Sequence, residues 1–534
     1  DIKINLGYNL VYSDELSTTP STSLDPNSTN QPYSYFGNSK QSSWIIEPQL
    51  DYSRRIGPHK ISILLGSTLQ DRKFTGIYTQ ATGYSSDILL ESIASAADAR
   101  SSNSFGQYRY SAAFARLGYS YQDRYIANIS GRRDGSSRFG PGKQFSNFGA
   151  IGLGWIFSST SLIKEFLPWL SFGKLRGSYG TTGNDQIGDY KFLDTWTAGQ
   201  YTFQGMGTLG PTSLFNPDYA WELTRKLEFG LEMGFLQNRV ILTASYFRNR
   251  SGNQLINYTL PIQTGFSQIG KNLDAEIQNK GFEFVLTSKN IVHKNLQWSS
   301  NFNLSLIRNK LLNFPGLASS SYANRYTIGQ PINSIKTYHY LGVDPASGLY
   351  TFEDLNSDGN LDVQDYASIV KTEPVFYGGL SNSISFKQFQ FDLFLEFRKQ
   401  TGRNYLGSSN SGLGVPGYGY VNKPILILDR WRSPGDVSEI QRYTASTSTA
   451  YLNGISYLPG SDGIYTDASF IRCRSVMISY VFKSVKPSIP SIRVYATAQN
   501  LFTVSGYKGA DPENQNMMVL SPLRTIAGGI EINF

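Results

Sequence analysis

The residues best suited to chemistry lie in one short run: Asp354, Asn356, Asp358, Asn360, Asp362 and Asp365, with Gly359 among them. Counting Asp354 as position 1, side-chain oxygens fall at positions 1, 3, 5, 9 and 12, with glycine at position 6. That is the spacing of a calcium loop. Calcium takes six or more oxygens from a tight turn, and Gly359 permits the left-handed backbone such a turn needs. Asn360 would offer its backbone carbonyl. A bound cation is the expectation, calcium ahead of magnesium, because so many ligands come from protein. Its role would be to order a long loop. Asp365 is shorter than the Glu usual at its position, and no helix precedes the run, so a full helix–loop–helix unit is not expected. An Asn/Asp/Gly-rich surface turn would have the same composition.

Catalysis finds little material. The three histidines, His59, His293 and His339, form no His-x-x-x-His pair, so a transition-metal hydrolase is not expected. His59 and His293 fall at short turns and His339 in a long connection, so none is expected inside the barrel where it could activate a serine. The stretch Gly177-Ser-Tyr-Gly180-Thr-Thr-Gly183 lacks the Gly-Lys-Ser/Thr ending of a phosphate loop and opens no helix. The single cysteine, Cys473, excludes an internal disulfide. Two aromatic-rich connections are better candidates for binding. Trp196 and Tyr201 lie in 182–221, and Tyr418, Tyr420 and Trp431 lie in 399–469. Their rings could stack on sugars or grip a peptide. Packing of the loops on each other and on a partner lid is the competing use.

The elements that must position these residues follow from periodicity. Alternation with period 2 marks about sixteen segments. They span 2–14, 43–56, 59–71, 105–121, 124–133, 144–158, 170–181, 222–235, 239–251, 280–289, 295–308, 375–385, 388–398, 470–482, 490–499 and 524–534. In 388–398, Phe391, Leu393, Leu395 and Phe397 share one face, and Asp392, Glu396 and Arg398 share the other. In 159–169, Leu162, Ile163, Phe166 and Leu167 have helical spacing, with Ser161 as the expected N-cap.

Connection lengths decide between a soluble sandwich and a membrane barrel. Read from the C-terminus, long and short connections alternate: 500–523 long, 483–489 short, 399–469 very long, 386–387 minimal, 309–374 very long, 290–294 short. Outer-membrane barrels have this asymmetry, with short turns on the periplasmic side and long loops outside. The fold expected is all-β: a transmembrane antiparallel β-barrel with about sixteen strands present. No run of apolar residues approaches the roughly 18 needed for a membrane helix. Mean hydropathy is −0.29, which a barrel tolerates because only alternate residues meet lipid. The net charge of +8 is spread over 48 basic and 40 acidic residues with no basic run, so nucleic acid is not an expected partner and outer-membrane lipid is.

Several segments, in order, resemble the SusC/RagA family of TonB-dependent outer-membrane transporters. Leu175-Arg-Gly-Ser-Tyr179-Gly-Thr-Thr-Gly183-Asn184 looks like the family's lRgSYGxtGN stretch, and Asn216-Pro217-Asp218-Tyr-Ala-Trp221-Glu222 like its NPdLkWE motif. Asn279-Lys280-Gly281-Phe-Glu283 is similar to NkGvE, and the Asp354–Asp365 run followed by Gly378-Gly379-Leu380 to its D-N-DGxiD…GGl run. Asn500-Leu501-Phe502, Tyr507-Lys508-Gly509 and Asp511-Pro512-Glu513 fit its final loop, with Ala510 where an aromatic is common. The resemblance implies a 22-stranded barrel of which residues 1–534 are the C-terminal part. The first strands, the plug domain and the TonB contact would lie upstream, as Asp1 falling inside a strand pattern also suggests. It implies import of oligosaccharides or peptides across the bacterial outer membrane, with a SusD-like surface lipoprotein as partner and no enzymatic activity. A passive sixteen-stranded porin and a surface barrel that transports nothing are the alternatives.

Overall fold

The computed structural model describes residues 1–27, 29–407, 414–419, 423–482, 490–516 and 519–533. Among the described residues, seventeen strands share one antiparallel sheet, and one of these, Thr503–Ser505, is only three residues long. The other sixteen match the sixteen segments read from alternation. They are β1 (Ile2–Thr19), β2 (Tyr33–Ile56), β3 (His59–Thr82), β4 (Asp98–Tyr121), β5 (Tyr125–Ser136), β6 (Phe145–Trp155), β7 (Leu170–Asn184) and β8 (Glu222–Phe235). They continue with β9 (Val240–Gly252), β10 (Glu276–His293), β11 (Leu296–Asn313), β12 (Phe376–Phe386), β13 (Phe389–Lys399), β14 (Phe470–Phe482), β15 (Ser491–Gln499) and β16 (Thr525–Asn533). No helix among the described residues is long and apolar enough to cross a membrane.

The main difference from expectation is the reach of the first hairpins. The first four strands are 18, 24, 24 and 24 residues long, so much of the expected loops 15–42 and 72–104 is sheet. The extensions carry Ser, Thr, Gln and Asn on both faces, which erases the apolar alternation while leaving the ladder intact. Thr79 Oγ1 and Ser101 Oγ, 2.8 Å apart, are one such polar cross-strand pair. The short helix α1 (Ser161–Phe166) is present, but its N-cap is Thr160, not Ser161. Thr160 turns its hydroxyl back to the Phe157 carbonyl at 2.6 Å, closing the preceding turn instead of capping the helix.

The chain divides into two compact units, residues 1–153, 178–226 and 251–274, and residues 154–177, 227–250 and 275–534. In the first, Phe139, Phe148 and Trp221 form a buried cluster at the head of the strands. Trp221 donates from its indole N–H to the Gln144 carbonyl at 2.9 Å. Asn216 and Asn272 pin the hairpin 254–273 to the 216–220 turn, Asn216 donating to the Gly270 carbonyl and Asn272 to the Ala220 carbonyl, each at 2.7 Å. In the second unit, a buried core of Tyr350, Leu458 and Ile464 lies within the long connections rather than in the sheet. A sheet that puts apolar side chains toward lipid has little interior of its own, so the loops build one.

Candidate functional site

The site worth describing is the assembly of connections 314–375, 400–469 and 500–524, all in the second unit. Backbone pairing joins the first two: Tyr338 and Ser461 form a parallel bridge, the Tyr338 amide donates to the Gly460 carbonyl, and the Asp462 amide donates to the Tyr338 carbonyl, both at 3.0 Å. The Asn453 side chain donates to the Tyr350 carbonyl at 2.8 Å. Gln441, fully buried, donates to the Gly414 and Ala450 carbonyls at 2.8 and 2.6 Å. These shared hydrogen bonds make the assembly a folded body and not a set of loose loops, although the buried hydroxyls of Thr337 and Tyr340 have no partner among the described residues. Burial pushes the Tyr338 phenol up to about 12 and raises that of Tyr350 as well. Both hydroxyls therefore stay protonated.

The third connection is tied in by charge. Arg472 on β14 is 1% exposed and donates to Thr503 Oγ1 at 2.9 Å, to Asp511 at 2.5 Å and to Glu513. Glu513 also receives Arg474, which donates to Glu396 on β13 at 2.5 Å. Alternating charges thus run from the strand ends to the final connection. Motif spacing did not reveal this ladder. Arg472 and Arg474 open β14, whereas Asp511 and Glu513 lie in the connection between β15 and β16, so the pairing is visible only after folding.

Between 404–440 and the final connection lies a cavity of about 410 Å³. Leu426, Val437 and Ile440 give it apolar walls, beside Tyr405 and Asp429. Lys508 Nζ and the Glu439 carboxylate, 2.7 and 3.0 Å apart, close one side as an exposed ion pair. Such a mixture suits a ligand with both apolar faces and polar groups.

The aromatics singled out from sequence separate into different roles. Trp431 is buried, with its indole N–H donating to the Pro345 carbonyl at 2.9 Å, and its ring presses on Gly348. It clamps one loop to another and offers no face to a ligand. Tyr418 is 42% exposed and meets Tyr451 edge-on at 4.6 Å. Trp196, 58% exposed, and Tyr201 lie in the strand Thr195–Phe203 of the first unit. Tyr420 lies outside the described residues. Within the second unit, Trp431 and Tyr418 thus have different environments.

The 354–365 run turns back on itself. Gly359 has φ +81 and Ser357 φ +58. Asp354 accepts the Ser357 and Gly359 amides at 2.7 and 2.9 Å, and Asp358 accepts the Asn360 amide at 2.7 Å. Asp365 is fully buried and accepts the Leu355 and Asp362 amides at 3.0 and 2.9 Å, fastening the two ends together. Each carboxylate oxygen keeps a second lone pair for a cation. Yet among the described residues no three His, Cys, Asp or Glu side chains converge as a metal site. Asn360, Asn356 and Asp362 sit on the rim of the same turn, Asn356 donating to Asp358 at 2.9 Å and Asp362 accepting the Gln364 amide at 2.7 Å.

Residues 1–501 match the family model described as TonB dependent receptor-like, beta-barrel. TonB-dependent receptor P3 of Formosa agariphila is 26% identical over 503 residues, covering 88% of this chain and 48% of that protein. TonB-dependent receptor SusC of Bacteroides thetaiotaomicron is 27% identical over 441 residues, covering 77% of this chain and 42% of that protein. The chain spans about half the length of the curated relatives it matches. Among solved structures, that of the RagAB peptide transporter superposes with a TM-score of 0.84 at 22% identity, covering 100% of this chain and 60% of the other. The alternating sheet, the loop asymmetry and these matches agree, and the chain belongs to the TonB-dependent receptor β-barrel family of the bacterial outer membrane.

Proposed function

We propose that this chain supplies barrel wall and surface loops to a SusC-like importer that takes up oligosaccharides or peptides with TonB-derived energy. The observation that carries this reading is the folded body made by 314–375, 400–469 and 500–524, with its cavity beside the Lys508–Glu439 pair. A channel open to diffusion has no need of so much loop structure; a receptor that must capture a scarce ligand does. In the whole receptor a plug would block the lumen, and a SusD-like lipoprotein would cover the loops and trap substrate against them. A TonB-dependent SusC receptor among the relatives supports an importer of this class, and the matching peptide transporter supports peptide as one cargo.

The calcium loop belongs to the same proposal. Asp354, Asn356, Asp358, Asp362 and Asp365 would supply side-chain oxygens, and Asn360 its carbonyl. A cation there would draw the carboxylates together and stiffen the connection that carries Tyr338 and Tyr350.

The test is uptake of labelled oligosaccharides and peptides by cells expressing the intact receptor, with and without functional TonB, alongside mass spectrometry of proteins that co-purify. Uptake that needs TonB, with a surface lipoprotein in the eluate, supports the importer. Uptake independent of TonB, or ion conduction by the receptor alone, overturns it in favour of a passive pore.

A further inference from the structure

The outward face of β2 to β5 has a feature that transport does not use. Register places Trp44, Asp71 and Arg109 side by side across β2, β3 and β4, and pairs Ala113 of β4 with Arg133 of β5. The face so defined is the apolar one: Ile46, Leu50 and Tyr52, Leu65 and Leu69, Leu117 and Tyr119, and Ile129 are all exposed on it. The opposite face carries Glu47, Asp51, Arg72 and Arg116. Only lipid covers so long an aliphatic surface in this family, so the first face is the membrane face.

Each strand leaves this apolar band in the same way. On β2 the outward sequence runs Trp44, Ser42, Lys40; on β3, Leu69, Asp71, Lys73; on β4, Ala113, Ser111, Arg109; on β5, Ile129, Gly131, Arg133. On four adjacent strands a cation therefore stands two outward positions beyond the end of the continuous apolar run, and single apolar residues, Ile77 and Phe105, recur farther out on the same face. The rim of the band descends diagonally through the register, and the cations descend with it. Tilted strands turn such a diagonal into a line parallel to the membrane surface. All four side chains are exposed. Four residues at about 3.3 Å each, on a strand tilted by roughly 40°, put the cations about 10 Å beyond the apolar rim, within side-chain reach of the headgroup layer.

The stripe is held along the surface. Lys40 Nζ lies 5.2 Å from the Tyr12 ring centroid, Lys73 Nζ 5.6 Å from that of Phe105, and Arg133 5.2 Å from that of Phe145. Arg133 also donates to Asn147 at 3.2 Å. Arg109 pairs with Asp71 at 2.9 Å, and Asp14 accepts from Asn38 at 2.6 Å. Four cations against these two carboxylates leave a net charge of +2 on a face otherwise meant for lipid. The side is the one bearing the long connections, which in this family is the outer leaflet.

We propose that Lys40, Lys73, Arg109 and Arg133 bind the phosphate groups of an outer-leaflet glycolipid headgroup. Charge and depth both match: phosphates sit just beyond the acyl chains, and rows of Lys and Arg at that depth recognise anionic headgroups. Asp71 orients Arg109, and Ser42, Ser111 and Gln107 stand between the cations as further donors.

The test uses the intact receptor in detergent and a fluorescent lipid A as probe. The triple variant Lys40→Gln, Lys73→Gln, Arg133→Gln should bind lipid A on the order of a hundredfold more weakly, from about 1 kcal/mol for each cation removed. A control with the same charge change on the other face, Lys60→Gln, Arg72→Gln, Arg116→Gln, should bind as the parent does. A measurement on the parent needs no variant: lipid A stripped of its phosphates should bind as weakly as the triple variant binds the intact lipid. Equal binding by triple variant and parent, equal binding of phosphorylated and dephosphorylated lipid, or full displacement by inorganic phosphate would each overturn the proposal. Loss of a co-purifying protein from the triple variant, with lipid A binding intact, would assign the stripe to a protein interface instead.

Discussion

His339 Nδ1 lies 2.8 Å from Asp462 Oδ2, and the other oxygen of Asp462 accepts the Tyr340 amide at 2.8 Å, so one carboxylate joins connections 314–375 and 400–469. The hydrogen bond to Asp462 raises the His339 pKa above its ordinary 6.5. A raised folded-state value means that the pair stabilises fully below about 6.5 and that the contribution is lost as pH rises through the raised value. His339 is half exposed, so the effect is under about 1 kcal/mol. Limited proteolysis of the two connections should therefore speed up a few-fold as pH rises through that window, and His339→Gln should remove the pH dependence. A pH profile unchanged by the substitution would sink this assignment.

The Arg472 ladder should behave as a buried ion network. Asp511→Ala leaves a guanidinium that is 1% exposed with less compensation. Loss of one partner from a buried pair costs about 3 kcal/mol. The final connection should be cleaved by protease much faster than in the parent, while the electrophoretic shift of the folded barrel persists. Replacing Arg472, Asp511 and Glu513 together by apolar residues should cost less than Asp511→Ala alone.

Trp431 and Trp196 should separate packing from recognition. Trp431→Ala removes a buried ring and its hydrogen bond to Pro345, at a cost of about 3 kcal/mol to the loop body. Gly348→Ala should do similar harm: φ is +71 there, and a Cβ would come within 2.4 Å of the Trp431 ring. Trp196→Ala, at an exposed position, should leave thermal unfolding within about 0.5 kcal/mol of the parent. Differential scanning calorimetry of the intact receptor distinguishes these outcomes.

Calcium binding is checked with terbium as a luminescent stand-in. The intact receptor should sensitise terbium and release it to excess calcium but not to equal magnesium. Asp358→Ala and Asp354→Ala should abolish the signal, whereas Asp98→Ala, remote in sequence, should not. Absence of luminescence in the parent would leave 354–365 as a turn held by its own amides.

Strand number and position were legible in the sequence because a barrel strand faces lipid on one side and water on the other. The result is a period of two that each segment carries by itself, as in Phe391 to Phe397 against Asp392 to Arg398. Connection lengths were legible too, since a membrane treats its two sides differently. Beyond the membrane that constraint ends, and the polar continuations of β1 to β4 carried no alternation to read. The roles of individual loop residues were decided only by tertiary structure. Trp431 became a clamp and Tyr350 a core residue because distant connections met over them, and Arg472 found Asp511 across 39 residues. The cation stripe lies between these cases. Each of its residues repeats a local rule two outward positions past an apolar end, but only the register across four strands aligns them into one line.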